Sequence, residues 1–248
     1  MSYMAEWGFQ SLVQHVISRH PGDVMAMDGK YGTPLHAAVA NGVIEVTRLL
    51  IGHCVDADIR NIDGWTPLHL AVYWGYLEIT QMLIGCNTNI HVRDNNGQTP
   101  LHHIVHDLLD PFPDRFFDVL RFLLDHGADT NVQDNDFSTP LHLVSFCRCS
   151  KGVQLLLEHG ANPNVQSKNG QTPLHVALRE TPFHSHAVVH FLLKHGSDVN
   201  AQNYDDLTPL HLALYHGFSQ STNTLLDHGA NVHVWDSMGL APLHIALK

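Results

Sequence analysis

The sequence predicts an all-α fold, a solenoid of stacked helix-turn-helix units with short β-hairpin fingers between one unit and the next. The first observation is the phrase Thr-Pro-Leu-His, which begins at residues 33, 66, 99, 139, 172 and 208 and returns as Ala-Pro-Leu-His at 241. The second is a phrase of the form Leu-Leu-x-His-Gly-Ala-Asp, which begins with small changes at 123, 156, 192 and 225 and in weaker versions at 50 and 83. The third is their spacing of 33 residues, lengthened to 40 and 36 in two places. Units of this size cannot bury their own apolar faces and must stack.

The first helix of each unit begins at the Thr-Pro pair. The threonine hydroxyl can cap unpaired backbone amides, and proline in the first turn has no amide hydrogen to lose. The residues that follow, such as Leu68, Leu70, Ala71 and Val72, predict a short helix with a small apolar face.

The second helix carries apolar residues at helical spacing, as in residues 77–84. It ends at a glycine, which tolerates the left-handed conformation of a helix cap. A stretch rich in Asp and Asn follows and predicts a hairpin-like turn, the finger. Four fingers carry a glycine at the same place: Gly64, Gly97, Gly170 and Gly239. Tyr31, Phe137 and Asp206 stand there in the others, and we interpret them as drift at positions that tolerate change.

Two units are longer than the period. The third has seven extra residues around 110–114 and the fifth has three around 181–184, both at the turn between the two helices. Each insertion combines proline with phenylalanine. Loop statistics favour a locally packed loop, and the alternative is a specific contact with a partner or an adjoining domain.

The two phrases and their period resemble the ankyrin repeat over essentially the whole chain. The resemblance implies one ankyrin-repeat domain, residues 1–248, with repeats that start near 28, 61, 94, 134, 167 and 203 and partial units at 1–27 and 236–248. The partial units suggest a fragment of a longer protein, and a degenerate capping repeat at each end is the alternative. We expect a monomer or a part of a larger multidomain chain.

Charge and composition exclude several classes of function. The chain has 13 Lys and Arg against 24 Asp and Glu, a formal charge of −11, which argues against binding to nucleic acid or to an anionic membrane surface. No stretch has the apolar length of a membrane span, and residues 1–10 lack the pattern of a signal peptide. Four cysteines in a chain this long do not suggest a disulfide framework, so we expect a cytoplasmic location, with the nucleus as the alternative.

The 22 histidines are numerous enough to suggest metal binding, acid–base chemistry or a pH switch. Seven of them end the Thr-Pro-Leu-His phrase or its Ala variant, and five more precede the glycine that ends the second helix, or Cys54 in its place. The resemblance implies that the first set bonds to backbone and threonine near the helix start and ties neighbouring repeats together. The second set lies near a helix C-terminus, where a cationic or hydrogen-bonding side chain favours the helix dipole.

The remaining histidines include two metal-like patterns. His102, His103 and His106 form H-H-x-x-H, and His186 lies four residues before His190 on a predicted helix. A zinc site needs three or four ligands, and no cysteine pair with zinc-finger spacing completes either group. The sequence therefore predicts no metal site and no cofactor.

Catalytic motifs are absent from the sequence: it contains no nucleophile elbow, phosphate-binding loop or dinucleotide fingerprint. Solenoids also lack the enclosed pocket that excludes water around a reaction. We therefore predict that the protein is not an enzyme and has no catalytic residue. The alternative is a catalytic or small-ligand site co-opted beside the insertion in the third repeat, with His103, His106 and Asp107 as candidates.

The resemblance also implies the binding surface, because ankyrin arrays usually contact partners through the finger tips and the outward positions of the first helix. Aromatic residues, which with arginine dominate interface hot spots, collect there in two sets. The first aromatic set is Trp65, Tyr73 and Trp74, with Arg60 beside it. The second aromatic set is Tyr204, Tyr215 and Trp235, with His216 beside it. The predicted partner-binding residues also include His106, Asp107, Phe146 and Arg179. For Trp65 and Trp235 the alternative is packing onto the neighbouring repeat.

The fingers around these sets are rich in aspartate: Asp63, Asp94, Asp134, Asp136, Asp205, Asp206 and Asp236. We therefore expect a protein partner with basic residues and one or two apolar anchors. The predicted function is a protein–protein interaction scaffold or adaptor that binds this partner on its concave face and hairpin tips. The resemblance adds a separate hypothesis, that an asparaginyl hydroxylase modifies Asn131, Asn164 and Asn200.

Overall fold

The computed structural model describes residues 32–53, 56–105, 114–147, 149–179 and 185–247, with a few positions between 11 and 27. His106, Asp107, most of the partial unit at 1–27 and nearly all of both insertions lie outside the described residues. The described part of the chain is helical and contains no strand. None of its helices is both long and apolar enough to cross a membrane.

The chain forms two compact units, residues 1–128 and 129–248. The described helices of unit 1 are α1 (Pro34–Ala40), α2 (Ile44–Gly52), α3 (Pro67–Tyr73), α4 (Leu77–Gly85), a 3₁₀ helix (Pro100–Val105) and α5 (Asp114–Asp125). Those of unit 2 are α6 (Pro140–Phe146), α7 (Ser150–Glu158), α8 (Pro173–Ala177), α9 (Ser185–Lys194), α10 (Pro209–Tyr215), α11 (Ser219–Asp227) and α12 (Pro242–Ala246). The inner helices begin at the proline of the repeated phrase, and the outer helices α2, α4, α5, α7, α9 and α11 follow them.

The core of each unit lies between the inner and outer helices. The leucine of the repeated phrase is almost fully buried in every repeat from the first to the sixth: Leu35, Leu68, Leu101, Leu141, Leu174 and Leu210. Outer helices add a second buried row, as with Val153 and Leu156 on α7. Each inner helix is only five to seven residues long, and isolated helices of that length are marginal in water, so stacking stabilises the array.

The histidine of the repeated phrase closes the start of each inner helix. In the second repeat, His69 Nδ1 accepts the Thr66 amide hydrogen at 3.0 Å and the Thr66 hydroxyl at 2.9 Å. Because Nδ1 accepts, Nε2 carries the proton and donates to the Gln98 carbonyl of the next finger at 3.2 Å. The imidazole thus takes the place that Glu or Gln has in a capping box. The same arrangement recurs at His36, His142, His175 and His211.

A second row of histidines closes the outer helices. In His53, His126, His159, His195 and His228, Nδ1 lies 2.8 Å from the carbonyl oxygen four residues earlier. Each ring therefore adds a side-chain hydrogen bond to a carbonyl in the last turn, and in all but His53 the same carbonyl also accepts the backbone amide of that histidine. This agrees with the predicted hydrogen-bonding role at the helix C-terminus.

The fingers are tight turns, each closed by the residue at its start. Asn61 shows the pattern: its Oδ1 accepts the amides of Asp63 and Trp65, and its own amide bonds to the Trp65 carbonyl at 2.9 Å. Asp94, Asp134, Asn203 and Asp236 make the same pair of side-chain bonds. Successive fingers within a unit are also joined, for example from the Lys168 amide to the Asp136 carbonyl at 2.8 Å. The predicted hairpin strands are not formed in the described fingers.

Two fingers replace glycine with a strained residue. Phe137 and Asp206 have φ values of 58° and 56°, close to the 72° of Gly170 at the same place in another finger. The left-handed conformation costs a residue with a Cβ atom about 1–2 kcal/mol. The structure therefore locates backbone strain at Phe137, whose side chain is 53% exposed.

Replacing Phe137 with glycine is expected to raise the free energy of unfolding by about 1 kcal/mol. Relief of the left-handed strain exceeds the extra chain entropy that glycine brings to the unfolded state. Urea denaturation followed by circular dichroism measures the change. Gly170→Ala is the matched control and should destabilise, because its Cβ would lie 2.6 Å from the Tyr204 ring. A Phe137→Gly protein that is less stable than the parent would contradict the assignment of strain.

Candidate functional site

The first aromatic set forms a contiguous ring cluster in unit 1. Trp65 precedes α3, Tyr73 is the last residue of that helix and Trp74 follows it. The Tyr73 ring lies 5.1 Å from the Trp65 ring and 5.1 Å from the Trp74 ring, measured between centroids. Trp65 and Tyr73 are half-buried, whereas Trp74 is 39% exposed. Trp74 is therefore the member of this set most open to a partner.

A buried His–Asp pair lies beneath Trp65. The His103 ring is 4.3 Å from the Trp65 ring, and His103 Nε2 is 3.0 Å from Asp94 Oδ2. Both side chains are buried. His103 stands where the other repeats carry an apolar residue: Ala37, Leu70, Leu143, Val176, Leu212 and Ile245. A polar residue at a repeat position that is otherwise apolar indicates a buried polar contact, and this was visible in the sequence. That its partner is Asp94 was not predicted.

The surroundings of Asp94 and of the neighbouring His69 fix the protonation of these two side chains near neutral pH. Burial acts to raise the pKa of Asp94, but hydrogen bonds from His103 and the Gln98 amide outweigh it and hold that pKa below its ordinary value. Burial, helped by the nearby charge of His103, lowers the pKa of His69 to about 4. Asp94 is therefore ionised and His69 neutral at pH 7. The carboxylate supports the finger and orients the ring beneath Trp65.

Of the H-H-x-x-H pattern, the structure describes His102 and His103, and these two side chains turn to different partners. His102 Nδ1 bonds to the Thr99 amide and hydroxyl, whereas His103 turns to Asp94. In the other pattern, His186 lies 3.3 Å from the Thr224 hydroxyl and His190 is exposed. Among the described residues, no group of three His, Cys, Asp or Glu could hold a metal ion.

Arg60 forms hydrogen bonds that stabilise the finger preceding Trp65. Its Nε donates to the Gly64 carbonyl at 3.1 Å, and its Nη2 donates to Asn95 Oδ1 of the next finger at 3.3 Å. The guanidinium thus ties two fingers of unit 1 together while the side chain stays exposed.

The second aromatic set is far more exposed than the first. Tyr204 in a finger is 73% exposed, Tyr215 at the end of α10 is 75% exposed and Trp235 before the last finger is 58% exposed. His216 is half-buried and stacks on the Phe218 ring at 5.5 Å. Trp235 lies 5.4 Å from the His244 ring and lines a largely apolar groove of about 480 Å³ beside α12. Large aromatic surfaces are thus exposed at three places in unit 2: a finger, the end of α10 and the position just before the last finger.

Phe146 and Arg179 line another groove of unit 2. This groove, of about 460 Å³, lies between the fingers and inner helices of the fourth and fifth repeats. Phe146 is 53% exposed and Arg179 is exposed. Asp136 and Lys168 also line the groove, with Lys168 Nζ 3.4 Å from Asp136 Oδ1.

The aspartates of the fingers divide into two kinds. Asp94, Asp134 and Asp236 are buried, and each closes its own finger through Oδ1. The exposed ones are Asp63, Asp136, Asp205 and Asp206. The expectation that all seven form an acidic surface is therefore wrong for three of them, because a carboxylate at the start of a finger turns inward to accept backbone amides.

Asn131, Asn164 and Asn200 are exposed, and each joins its repeat to the next in unit 2. Asn131 Oδ1 accepts the Asn162 amide at 2.7 Å, and its Nδ2 donates to the Gly160 carbonyl at 3.1 Å. Asn164 and Asn200 make equivalent pairs of bonds. The side chains proposed for hydroxylation therefore have a structural role of their own.

Comparison with known proteins identifies close structural likenesses. The family model described as ankyrin repeats, in three copies, matches residues 1–94, 79–167, 114–203 and 184–248. The crystal structure of an ankyrin repeat domain from Acinetobacter baumannii AYE is 26% identical, with 80% of this chain and 98% of that chain covered and a TM-score of 0.71. The ankyrin repeat domain of Bcl-3, described as a unique member of the IkappaB protein family, is 32% identical, with coverages of 86% and 93% and a TM-score of 0.71. No curated protein sequence is matched.

Proposed function

Because this chain belongs to the ankyrin repeat family, we propose that it is a scaffold or adaptor that binds a partner protein on its concave face and finger tips. Ankyrin repeats are generally protein-interaction modules and are typically non-catalytic. The proposal here concerns which residues of this chain make the contact and what they contact.

The observation that carries the proposal is the exposure of the second aromatic set. Tyr204, Tyr215 and Trp235 are between 58% and 75% exposed at finger and inner-helix positions of unit 2. Exposed aromatic side chains that share one face of a soluble protein usually mark an interaction site. Tyr and Trp also supply the largest share of hot-spot energy in interfaces.

The chemistry of the partner follows from the neighbouring carboxylates. Asp205 and Asp206 are exposed directly after Tyr204. A partner segment that carries lysine or arginine beside an apolar anchor complements this surface in charge and in shape. The first aromatic set offers a further contact of the same kind through Trp74, and the finger before Trp65 carries the exposed Asp63.

Binding to this surface needs little ordering of the protein. The Tyr204 amide donates to the Asn169 carbonyl at 3.2 Å, and the Ser237 amide donates to the Asp205 carbonyl at 3.1 Å, so neighbouring fingers are held before a partner arrives. His175 and His211 tie the inner helices to the following fingers. Preorganisation of this kind lowers the entropic cost of association.

Of the three candidates for a co-opted catalytic site in the third repeat, only His103 is among the described residues. His103 Nε2 is held by Asp94, and its ring is packed beneath Trp65.

We also propose a reducing, cytoplasmic setting, which the free thiols of Cys86 and Cys149 favour.

Affinity capture from the source organism tests the proposal. The parent protein is expected to retain a specific partner that a Tyr215→Ala/Trp235→Ala protein loses, because both exposed rings are removed without opening the core. His190→Ala, which removes an exposed ring from the outer helix α9, is the matched control and should keep the partner. A parallel Tyr73→Ala/Trp74→Ala protein tests the first aromatic set. Equal capture by parent and by both aromatic variants would contradict the proposed surface.

A further inference from the structure

The groove between the fourth and fifth repeats differs in charge from the rest of the chain. The protein carries a formal charge of −11, yet this groove is lined by the cations Lys168 and Arg179 against the single carboxylate of Asp136. His142 also lines it, and burial lowers the pKa of that imidazole, so it adds no charge at pH 7. Among the residues that line the groove, the cations therefore outnumber the carboxylates by two to one.

The ion pair in the groove is weak enough to exchange. Lys168 Nζ is 3.4 Å from Asp136 Oδ1, and the two side chains are 65% and 74% exposed. Exposed pairs of this kind contribute at most about 1 kcal/mol. An ammonium group has three donors, so Lys168 can take a further carboxylate without leaving Asp136. Arg179 presents a planar guanidinium, which suits carboxylates in particular.

The same groove offers an apolar contact. Phe146 is 53% exposed at the C-terminal end of α6, and Leu143 and Val176 line the groove with it. Gln171 and Asn169 lie along the finger side, where amide side chains can bond to an extended peptide backbone. The groove thus combines two cations, an aromatic ring and amide groups within about 460 Å³.

We propose that this groove binds an acidic–apolar peptide segment of a partner protein, with an Asp or Glu side chain on Lys168 and Arg179 and a neighbouring apolar side chain on Phe146. The inference rests on the proposed function and adds a second contact to it. Its partner chemistry is opposite in charge to that of the surface around Asp205 and Asp206, so one partner with an acidic and a basic stretch would satisfy both surfaces.

Selection from a display library of short random peptides on the full chain tests the inference. The enriched peptides are expected to combine Asp or Glu with a large apolar residue, and a synthetic copy is expected to bind more weakly as salt is raised. In fluorescence polarisation its affinity should fall by about tenfold or more with Lys168→Glu/Arg179→Glu, and similarly with Phe146→Ala. Lys194→Glu, a charge reversal on the outer helix α9 outside the groove, is the matched control and should bind like the parent.

The outcomes separate the inference from the proposed function. Enriched peptides that are rich in Lys or Arg and bind the charge-reversed variant as they bind the parent would contradict the proposed acidic-peptide site. The proposed function as an interaction module would be unaffected. Acidic peptides whose affinity is the same for the parent, the charge-reversed variant and Phe146→Ala would overturn it as well. A library that yields no specific binder would overturn the proposed peptide site, whereas affinity capture with the aromatic variants decides the proposed function.

Discussion

Acidification from about pH 7.5 to about pH 5 is expected to remove roughly 4 kcal/mol of the free energy of unfolding. The largest contributions come from His69 and His175, which are fully buried. Burial lowers the pKa of His69 to about 4, with a further contribution from the charge of His103, and burial lowers the pKa of His175 to about 4. Each ring accepts the amide and hydroxyl hydrogens of its threonine at Nδ1, so protonation there breaks the helix start.

The sign follows from the two pKa values of each ring. Above pH 6.5, the ordinary value, His69 is neutral in both the folded and the unfolded state, and its contribution is fully present. Between pH 6.5 and about 4 only the unfolded state binds the proton, so the free energy of unfolding decreases as the pH is lowered. By about pH 5 the loss amounts to roughly 2 kcal/mol for each ring. Of the groups near His69, Asp94 opposes this change, whereas His103 and Arg60 reinforce it.

Urea denaturation at a series of pH values measures the loss, and His175→Gln is the control. Glutamine does not titrate, so this variant should be less stable than the parent near pH 7.5 but lose about 2 kcal/mol less on acidification. Carboxylates with ordinary pKa values contribute little above about pH 5. Parallel pH profiles for the parent and His175→Gln would show that the buried histidines are not the cause.

The second large effect is expected from Asp94→Ala, which should lower the free energy of unfolding by about 3 kcal/mol. One carboxylate oxygen accepts the amides of Asn96 and Gln98 at 2.8 and 2.9 Å, and the other accepts from His103 at 3.0 Å. Alanine leaves the buried His103 ring and the half-buried Gln98 amide without their acceptor, whereas the exposed Asn96 amide can turn to water; unmade bonds to buried groups cost more than exposed ones.

Two variants make the Asp94 result specific. Asp94→Asn is expected to lose only about 1 kcal/mol, because asparagine already closes the fingers at residues 61 and 203 with the same two amide bonds. Asp136→Ala removes an exposed carboxylate and should change stability little. If Asp94→Ala is no less stable than Asp136→Ala in urea denaturation, the buried pair has no structural role.

The repeat, the helix starts and the roles of twelve histidines could be predicted, because the same short sequence makes the same local hydrogen bonds in each repeat. These histidines are the seven of the repeated phrase and the five near the ends of the outer helices. The phrase at 139–142 needs only its own four residues and the next finger to make its bonds. The hydroxyl of Thr139 also bonds to the ring of His142, as the resemblance implied.

The His103–Asp94 pair could not be predicted, because repeat periodicity describes what the repeats share and this pair is a departure from it. Aspartate in a turn also looks exposed in a sequence, whereas the burial of Asp94 depends on the neighbouring fingers and on the ring of Trp65. Ser145 and Ser197 are similar cases: their hydroxyls are buried without a hydrogen-bond partner at positions where most other repeats carry apolar residues. The two aromatic sets also differ in exposure, because Trp65 and Tyr73 are half-buried whereas the rings of the second set are exposed. The repeat positions alone do not predict this difference.

The dissociation constant of the captured partner tests the interaction-module account most directly. For a protein with Tyr204, Tyr215 and Trp235 all replaced by alanine, it is expected to rise by at least about a hundredfold, because each hot-spot ring contributes of the order of 1–2 kcal/mol. The free energy of unfolding should stay close to that of the parent, since all three rings are exposed. The His190→Ala control should bind as the parent does. A triple variant that is folded and binds with the parent's affinity would contradict the account.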